Sequence, residues 1–204
     1  MFCSPLFGLA FPHRYQLFTV VRHDLEEVEF LQCLSEVRLG KCNERPNFLL
    51  TTLARDIPNP QMATHMYFRK ISAELHNLAV LRELPGEAVR LESIDTGDCR
   101  GIQCPANQTL TLKRGCPIML IWNKNQKLRN GTGGHFLELR EGNQLLVDFP
   151  DVGHVFLERE TWHKRNPEGN IVGRRTQFPV ILRYAVTVHK AQGTDAACCC
   201  RALL

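Results

Sequence analysis

Polar side chains that could hold a phosphate lie at the end of a long apolar segment, residues 178–188, and directly after it. These polar residues are Thr187, His189, Lys190 and Gln192, followed by the flexible Gly193. Hydroxyl, imidazole, ammonium and amide groups at the end of a buried strand are typical of the sheet edge where open α/β folds bind ligands. The alternative interpretation is a polar helix end closed by a glycine cap.

A second group of residues combines aromatic rings with cations. Its members are Trp122, Trp162, His163, Lys164, Arg165, Arg174 and Arg175. Such a combination suits single-stranded nucleic acid, where base stacking contributes about 1–3 kcal/mol per base. We therefore predict that Trp162, Lys164, Arg174 and Arg175 contact single-stranded DNA. The alternatives are a solvated strand edge for the two arginines and a core position for Trp122.

The cysteines do not form a metal-binding pattern. None of the nine cysteines has the paired C-x2-C spacing of zinc sites, and the three consecutive ones, residues 198–200, are too close together to chelate as a set. We therefore predict no metal ligands. The odd count and the spacing also favour an intracellular, reducing compartment over a disulfide framework.

The composition is that of an ordinary globular chain. Its 204 residues, 44% of them hydrophobic and 23% charged, are enough for one or two domains with a real core. A net charge of +4 permits a polyanionic partner without demanding one. No apolar run approaches the roughly 18 residues needed to span a membrane, so we expect no membrane association.

Apolar periodicity predicts alternating strands and helices in the first half of the chain. Strands are expected at 15–21, 62–68, 88–94 and 116–122, and helices at 24–40 and from Ser72 to Pro85. The proline-rich stretch between the helices, which includes residues 48–53, is expected to be a loop. Strand–helix units of this kind are typical of an α/β domain. The strands expected to lie side by side in one sheet are 15–21, 62–68, 116–122 and 178–182.

After Trp122 the pattern changes to short strands separated by turns. Strands are expected at 136–139, 145–149 and 152–157, with a glycine turn at 131–134 and a hairpin turn at 141–143. Short strands this close together predict a small β-barrel inserted into the α/β domain.

Residues 184–193 also resemble a helicase motif. The string Y-A-V-T-V-H-K-A-Q-G is similar to motif V of the superfamily-one 5′→3′ DNA helicases of the PIF (petite integration frequency) family, which is related to RecD. Four further blocks resemble segments of the same family and occur in the expected order. These blocks are residues 17–40, which resemble its motif IV region, 64–87, 116–132 and 177–179.

The resemblance implies an α/β fold, the second RecA-like motor domain with a parallel sheet. It also implies an inserted small Src-homology-three-like β-barrel and truncation at both ends. The implied boundaries are 1–123 for the first part of the motor domain, 124–176 for the insert, 177–193 for the return to the motor domain and 194–204 for an atypical tail.

The resemblance further implies that the intact enzyme uses ATP and Mg²⁺. The catalytic residue would be Arg22, whose guanidinium would contact the γ-phosphate. Gln192 and Gly193 would lie near the nucleotide. The alternative for Arg22 is a surface position at a helix entrance.

DNA contacts are implied for five residues. Thr187, His189 and Lys190 would contact phosphates, which fixes the position of the strand without reading bases. His65 and Asn77 would bracket a DNA-facing loop. The alternative for these last two residues is a satisfied local hydrogen bond.

Three elements of such enzymes are missing from the sequence. They are the phosphate-binding loop G-x-x-x-x-G-K-[ST], an Asp-Glu pair for magnesium, and a motif VI ending in Ser-Arg. We therefore expect a fragment of an ATP-dependent DNA helicase of DNA repair, recombination or telomere maintenance, inactive without a first RecA-like motor domain. The expected compartment is the nucleus, with the mitochondrion as the alternative. The alternative functions are a non-catalytic module that binds single strands and a decayed helicase remnant.

Overall fold

The computed structural model describes residues 4–13, 15, 17, 27–41, 43–53, 63–141 and 143–191, with the backbone of 202–203. The chain divides into two compact units, Met1–Asp56 and Ile57–Leu204. Of the predicted strand 15–21, Tyr15 and Leu17 are described, and neither is in a strand. No helix in these ranges is long and apolar enough to cross a membrane.

The first unit is helical, with α1 at Phe7–Ala10, α2 at Val28–Arg38 and α3 at Glu44–Leu53. Helix α2 lies within the predicted helix 24–40, and Gly40 follows it with a left-handed φ of 72°. Arg45 of α3 pairs with Glu29 of α2 at 2.7 Å. The loop prediction for the segment of α3 was wrong. Pro46 stands in the first turn of α3, where a missing N–H breaks no helical hydrogen bond.

The second unit contains the remaining elements. In chain order they are β1 His65–Tyr67, α4 Lys70–Glu83, β2 Ala88–Glu92, β3 Ile94–Gly97, β4 Thr109–Lys113, β5 Pro117–Leu120, β6 Gly133–Arg140, β7 Gln144–Phe149, β8 Gly153–Leu157, β9 Glu160–Arg165, β10 Ile171–Gln177, β11 Val180–Leu182, β12 Ala185–Thr187, α5 Val188–Ala191 and β13 Ala202–Leu203.

Parallel pairing among the described strands is confined to one small sheet with the order β12-β1-β13. Strand β1 pairs with β12 from His65 opposite Ala185 to Tyr67 opposite Thr187. Helix α4 packs against both β1 and β12. The α/β character predicted for this part of the chain is therefore confirmed.

The rest of the second unit is antiparallel. Five strands form a sheet in the order β11-β5-β6-β7-β8, three form a sheet in the order β3-β10-β9, and β2 pairs with β4. Leu81 of α4 belongs to the same hydrophobic core as residues of the five-stranded sheet and of the pair β2 and β4. Side chains at the centre of this core include Leu112, Ile118, Leu120, Phe136, Leu145, Val147, Phe149 and Phe178.

The prediction that the apolar segments share one sheet was wrong. Segments 116–122 and 178–182 contain β5 and β11, which pair antiparallel, whereas segment 62–68 contains β1 of the parallel sheet. A continuous apolar run indicates a strand buried on both faces, but it does not indicate which sheet contains the strand. The chain leaves the antiparallel sheet at Arg183 and Tyr184 and enters the parallel one.

The barrel expected at 124–176 does not close into a ring among the described strands. Strand β6 pairs with β5, and β10 pairs with β3, so strands within this range pair with strands that precede it. Strands β6, β7 and β8 were predicted correctly from their turns and apolar residues, whereas β9 and β10 were not predicted. The partners of these strands were not predicted either, because pairing depends on segments distant in sequence.

The glycine segment 131–134 forms the predicted turn and the start of β6. Gly131 has a φ of 98°. A Cβ atom on Gly134 would lie 2.7 Å from the main-chain oxygen of Asp148 in the neighbouring strand. Gly131 therefore provides the left-handed conformation of the turn, and Gly134 allows β6 and β7 to approach closely.

One buried amide, that of Gln177, connects several antiparallel segments. Its Nε2 donates to the carbonyl oxygens of Leu91 (3.1 Å) and Gln108 (3.1 Å). Its Oε1 accepts hydrogen bonds from the main-chain N–H of Phe178 (2.9 Å) and from Arg159 Nη1 (3.1 Å). Gln177 is fully buried, so its amide depends on these protein groups, and not on water, for its hydrogen bonds.

We predict that Gln177→Leu lowers the free energy of unfolding by about 3 kcal/mol, because it leaves buried donors and acceptors unpaired. Urea unfolding followed by tryptophan fluorescence measures this, since Trp122 and Trp162 both lie in the second unit. The matched control is Gln144→Leu, whose amide bonds to the exposed Glu158, with an expected change below about 0.5 kcal/mol. Equal losses in both variants would contradict the role of the Gln177 amide.

Candidate nucleic-acid interface

The polar residues after the apolar segment lie at the carboxyl end of a parallel strand. Strand β12 ends at Thr187, and α5 carries His189 and Lys190 directly after it. Because β1 runs parallel and pairs Tyr67 with Thr187, both strands end at the same edge. Open α/β sheets bind their ligands at such edges. The observed position agrees with the predicted one, and contact with DNA stays a prediction.

Lys190 is partly removed from water at this edge. Burial, and after it the charge of Lys70, lower the pKa of Lys190, while Glu74 opposes the shift. Lys190 Nζ lies 3.5 Å from the carbonyl oxygen of Pro105, at the limit of a hydrogen bond. An anion bound here would replace the interaction with water that the ammonium has lost.

A cavity of about 360 Å³ opens beside Thr187 and Lys190. Helix α4 and strands β4, β11 and β12 supply its walls. Its lining consists of Lys70, Ala73, Glu74, Asn77, Leu78, Asn107, Gln108, Thr109, Leu110, Thr111, Ile181, Leu182, Ala185, Val186, Thr187 and Lys190. The sequence analysis missed the residues from Lys70 to Glu74 and from Asn107 to Thr111. No local pattern indicates them, because the fold alone brings them to β12.

Asn77 uses its amide to hold a strand. Its Nδ2 donates to the carbonyl oxygen of Ala185 (2.8 Å), and its Oδ1 accepts from the main-chain N–H of Ala185 (2.7 Å). The side chain is buried. The structure therefore contains the hydrogen bonds that the alternative interpretation of Asn77 requires, although Asn77 also lines the cavity.

His65 belongs to a cluster of rings between β1 and α4. Its ring centroid lies 4.4 Å from that of His76, and His76 Nδ1 shares a hydrogen bond of 3.1 Å with Tyr67 Oη. Burial, and secondarily His65, lower the pKa of His76. His65 Nδ1 is buried and has no hydrogen-bond partner within the described part of the chain. A DNA contact by His65 stays a prediction.

Two cations on β9 and β10, Lys164 and Arg175, are paired with carboxylates. Arg175 Nη2 lies 2.6 Å from Asp95 Oδ2, and Lys164 Nζ lies 2.8 Å from Asp98 Oδ2. The hydrogen bond from Arg175 lowers the pKa of Asp95, and the one from Lys164, with further bonds from Arg100, holds the pKa of Asp98 well below its usual range. These carboxylates compensate both predicted DNA-binding cations.

The other two predicted DNA contacts of this group, Trp162 and Arg174, differ from each other. The indole of Trp162 packs edge-on against Trp122 at 5.6 Å between centroids and belongs to a hydrophobic cluster. Arg174 is exposed. DNA contacts by Trp162, Lys164, Arg174 and Arg175 stay predictions, and Arg174 is the exposed cation among them.

The residues assigned to the nucleotide, Arg22, Gln192 and Gly193, lie outside the described residues. Within the described ranges, no three His, Cys, Asp or Glu side chains come together as a metal site.

Comparison with known proteins gives one consistent answer. Residues 100–139 match the model of the 2B domain of DNA helicase Pif1. The ATP-dependent DNA helicase Pif1 of Bdellovibrio bacteriovorus is 35% identical over 170 residues, which are 80% of this chain and 38% of that protein. The corresponding PIF1 helicase of Xenopus laevis is 30% identical over 190 residues, 88% of this chain and 30% of that protein.

This chain belongs to the Pif1 helicase family. The resemblance predicted from its motifs is confirmed. The chain spans about a third of the length of these two Pif1 relatives.

Solved Pif1 structures agree with this assignment. The crystal structure of Pif1 helicase from Candida albicans matches 80% of this chain, and 45% of its own, with a TM-score of 0.63 at 26% identity. The structure of Bacteroides Pif1 bound to single-stranded DNA matches 86% of this chain, and 42% of its own, with a TM-score of 0.60 at 25% identity.

We predict that Asn77→Asp lowers the free energy of unfolding by about 2–3 kcal/mol at pH 7, because a carboxylate cannot donate to the carbonyl oxygen of Ala185. Burial beside that oxygen should raise the pKa of the new carboxyl group above its unfolded value of about 3.9. A raised pKa means that protonation stabilises the folded state, so the deficit relative to the unsubstituted chain should shrink as the pH falls towards 4.

Urea unfolding of both proteins between pH 7 and pH 4 measures this difference. The matched control is Asn123→Asp. Asn123 Oδ1 accepts a hydrogen bond from the main-chain N–H of Asn130 (2.8 Å), and a carboxylate oxygen can accept the same bond. A deficit of Asn77→Asp that does not depend on pH would contradict the donor role of Asn77.

Proposed function

We propose that this chain supplies one motor domain and part of the single-stranded DNA grip of an ATP-dependent 5′→3′ DNA helicase. Its relatives are named ATP-dependent DNA helicases, and one structural neighbour is bound to single-stranded DNA. The observation that carries the proposal is the position of Thr187, His189 and Lys190 at the carboxyl edge of β1 and β12. By family, the work of such an enzyme is DNA repair, recombination or telomere maintenance.

The grip acts on the sugar-phosphate backbone. The Thr187 hydroxyl, the His189 imidazole and the Lys190 ammonium are donors to phosphate oxygens, and such contacts hold a strand without reading its sequence. The partly buried charge of Lys190 supplies the electrostatic part of the interaction. Exposed Arg174 adds a cation on β10 that attracts the strand.

The finer fold assignment is part of the proposal. The parallel pair β1 and β12 with helix α4 belongs to a second RecA-like motor domain, divided as 1–123 and 177–193 around an insert at 124–176, with 194–204 as a tail. The antiparallel sheets take the place of the Src-homology-three-like insert. The match of residues 100–139 to the Pif1 2B domain supports an insert that includes 124–139.

ATP hydrolysis requires a partner domain in this proposal. Arg22, Gln192 and Gly193 face ATP and Mg²⁺ only when a first RecA-like motor domain supplies the phosphate-binding loop that this sequence lacks. Closure of the two domains on ATP, and opening after hydrolysis, would alternate the grip on the strand. The proposed compartment is the nucleus, with the mitochondrion as the alternative.

A second candidate function is a non-catalytic module that binds single-stranded DNA. The observation in its favour is that the 204 residues have the cationic sheet edge but no G-x-x-x-x-G-K-[ST] string. The two functions share the grip on DNA and differ in whether a first motor domain restores ATP hydrolysis.

We predict that Lys190→Ala raises the Kd for a thymidine oligomer about tenfold. A hydrogen bond to a charged group contributes about 1.5–3 kcal/mol, and about 1.4 kcal/mol corresponds to a factor of ten. The slope of log K against log salt concentration should become shallower by about 0.7, since one phosphate contact is lost. Fluorescence anisotropy over a range of salt concentrations measures both values.

The matched control for Lys190→Ala is Lys127→Ala, which removes an exposed lysine from the loop before β6. It should leave both the Kd and the slope unchanged. Equal effects of the two substitutions would mean that binding reports net charge alone.

We also predict that the 204-residue chain releases no phosphate from ATP above background, with or without single-stranded DNA. The reason is the absence of the phosphate-binding loop. A phosphate-release assay tests this, with the complete Bdellovibrio relative as the positive control. DNA-stimulated hydrolysis by the chain alone would contradict the proposed need for a partner domain.

A further inference from the structure

The cavity beside Lys190 has a wall of apolar side chains next to a polar one. Three buried apolar residues of β11 and β12, Ile181, Leu182 and Val186, form part of its lining. Strand β4 and the residues before it contribute Asn107, Gln108 and other polar residues to the lining. Small-molecule sites in proteins combine apolar walls with a few polar groups in this way, in volumes from about 300 Å³ upwards.

The polar groups of this lining are suited to the edge of a nucleobase. The main-chain oxygens of Asn107 and Gln108 already accept hydrogen bonds from Gln177 Nε2, at 3.3 and 3.1 Å. Within the described part of the chain, their side-chain amides have no hydrogen-bond partner and are available to a ligand, and an amide offers both donors and acceptors. Bases splayed out of a single strand are held by such contacts to their edges and by packing against their faces.

The charges lie at the sheet edge, where the backbone of the strand would pass. Lys70 and Lys190 both line the cavity, and Glu74 pairs with Lys70 at 3.4 Å between Nζ and Oε1. Two ammonium groups and one carboxylate leave a positive balance at the cavity. This balance favours phosphates beside the cavity and a neutral base within it.

We propose that the cavity formed by α4, β4, β11 and β12 receives one unstacked base of a bound DNA single strand. Thr187 and Lys190 contact the phosphates next to that base, and the walls of the cavity enclose its ring. This site rests on the proposed function, because the strand reaches the cavity by way of the contacts at the end of β12. The cavity would contact a base, whereas the proposed grip contacts only the sugar-phosphate backbone.

Two ligands of equal length and charge test the site. One is a twelve-residue thymidine oligomer, and the other is a twelve-residue abasic oligomer, which keeps the phosphates and lacks the bases. The 204-residue chain should bind the thymidine oligomer about tenfold more tightly. Equal affinities would overturn the base site and leave the backbone grip intact, whereas binding to neither oligomer would overturn both.

The substitution Thr111→Leu tests whether the cavity is the source of the preference for the thymidine oligomer over the abasic one. Thr111 is a half-buried cavity residue on β4, and a leucine there occupies part of the space. It should abolish the preference for the thymidine oligomer and leave the affinity for the abasic oligomer unchanged. The matched control is Thr96→Leu, at an exposed strand position outside the cavity lining, which should keep the preference.

A preference that survives Thr111→Leu would overturn the proposal, because the bases would then be bound elsewhere. If Thr111→Leu fails to show the thermal transition of the unsubstituted chain, Gln108→Ala replaces it, since Gln108 is an exposed residue of the lining. Its expected result is the same loss of preference, and an undiminished preference overturns the site. Free thymidine monophosphate at the same nucleotide concentration should not compete, and competition would overturn the assignment to a strand.

Discussion

Two hydrogen bonds between the side chain of Asn77 and the main chain of Ala185 fix the position of the whole candidate site. Strand β12 has three residues, and its described strand partner is β1. A strand this short is stabilised little by the hydrogen bonds of its sheet alone. Asn77 satisfies both main-chain groups of the residue at which β12 begins, and so aligns helix α4 with the strand that carries Thr187. The cavity and the placement of Lys190 both follow from this alignment.

Ion pairs with carboxylates distinguish Lys164 and Arg175 from Lys190. Lys164 and Arg175 each lie within 2.8 Å of a carboxylate oxygen, and their charges act within the protein. Lys190 instead has a carbonyl oxygen at 3.5 Å and a lowered pKa. Among the described residues, no carboxylate forms an ion pair with Lys190, so a polyanion gains more from its charge than from those of Lys164 and Arg175. The proposed grip is therefore centred on the parallel sheet, and exposed Arg174 is the cation that β10 adds to it.

Sequence alone determined those features that depend on neighbouring residues. The periodic apolar residues of α2 and α4 and the turns around β6, β7 and β8 each indicate their element locally, and the structure contains all of them. The position of polar residues after a buried strand was likewise visible at 187–190. The order of short motifs was enough to identify the helicase family, because each block has its own residue pattern and five occur in sequence.

The tertiary structure decided the features that depend on distant partners. Residues 116–122 and 178–182 have the pattern of buried strands, yet the pairing of β5 with β11 rather than with β1 follows from packing. The hydrogen bonds of Asn77 join residues 108 positions apart, and the ion pair of Arg175 joins residues 80 positions apart. Apolar periodicity indicates which face of a helix or strand is buried. The residues that cover this face come from distant parts of the sequence, and only the folded chain shows which they are.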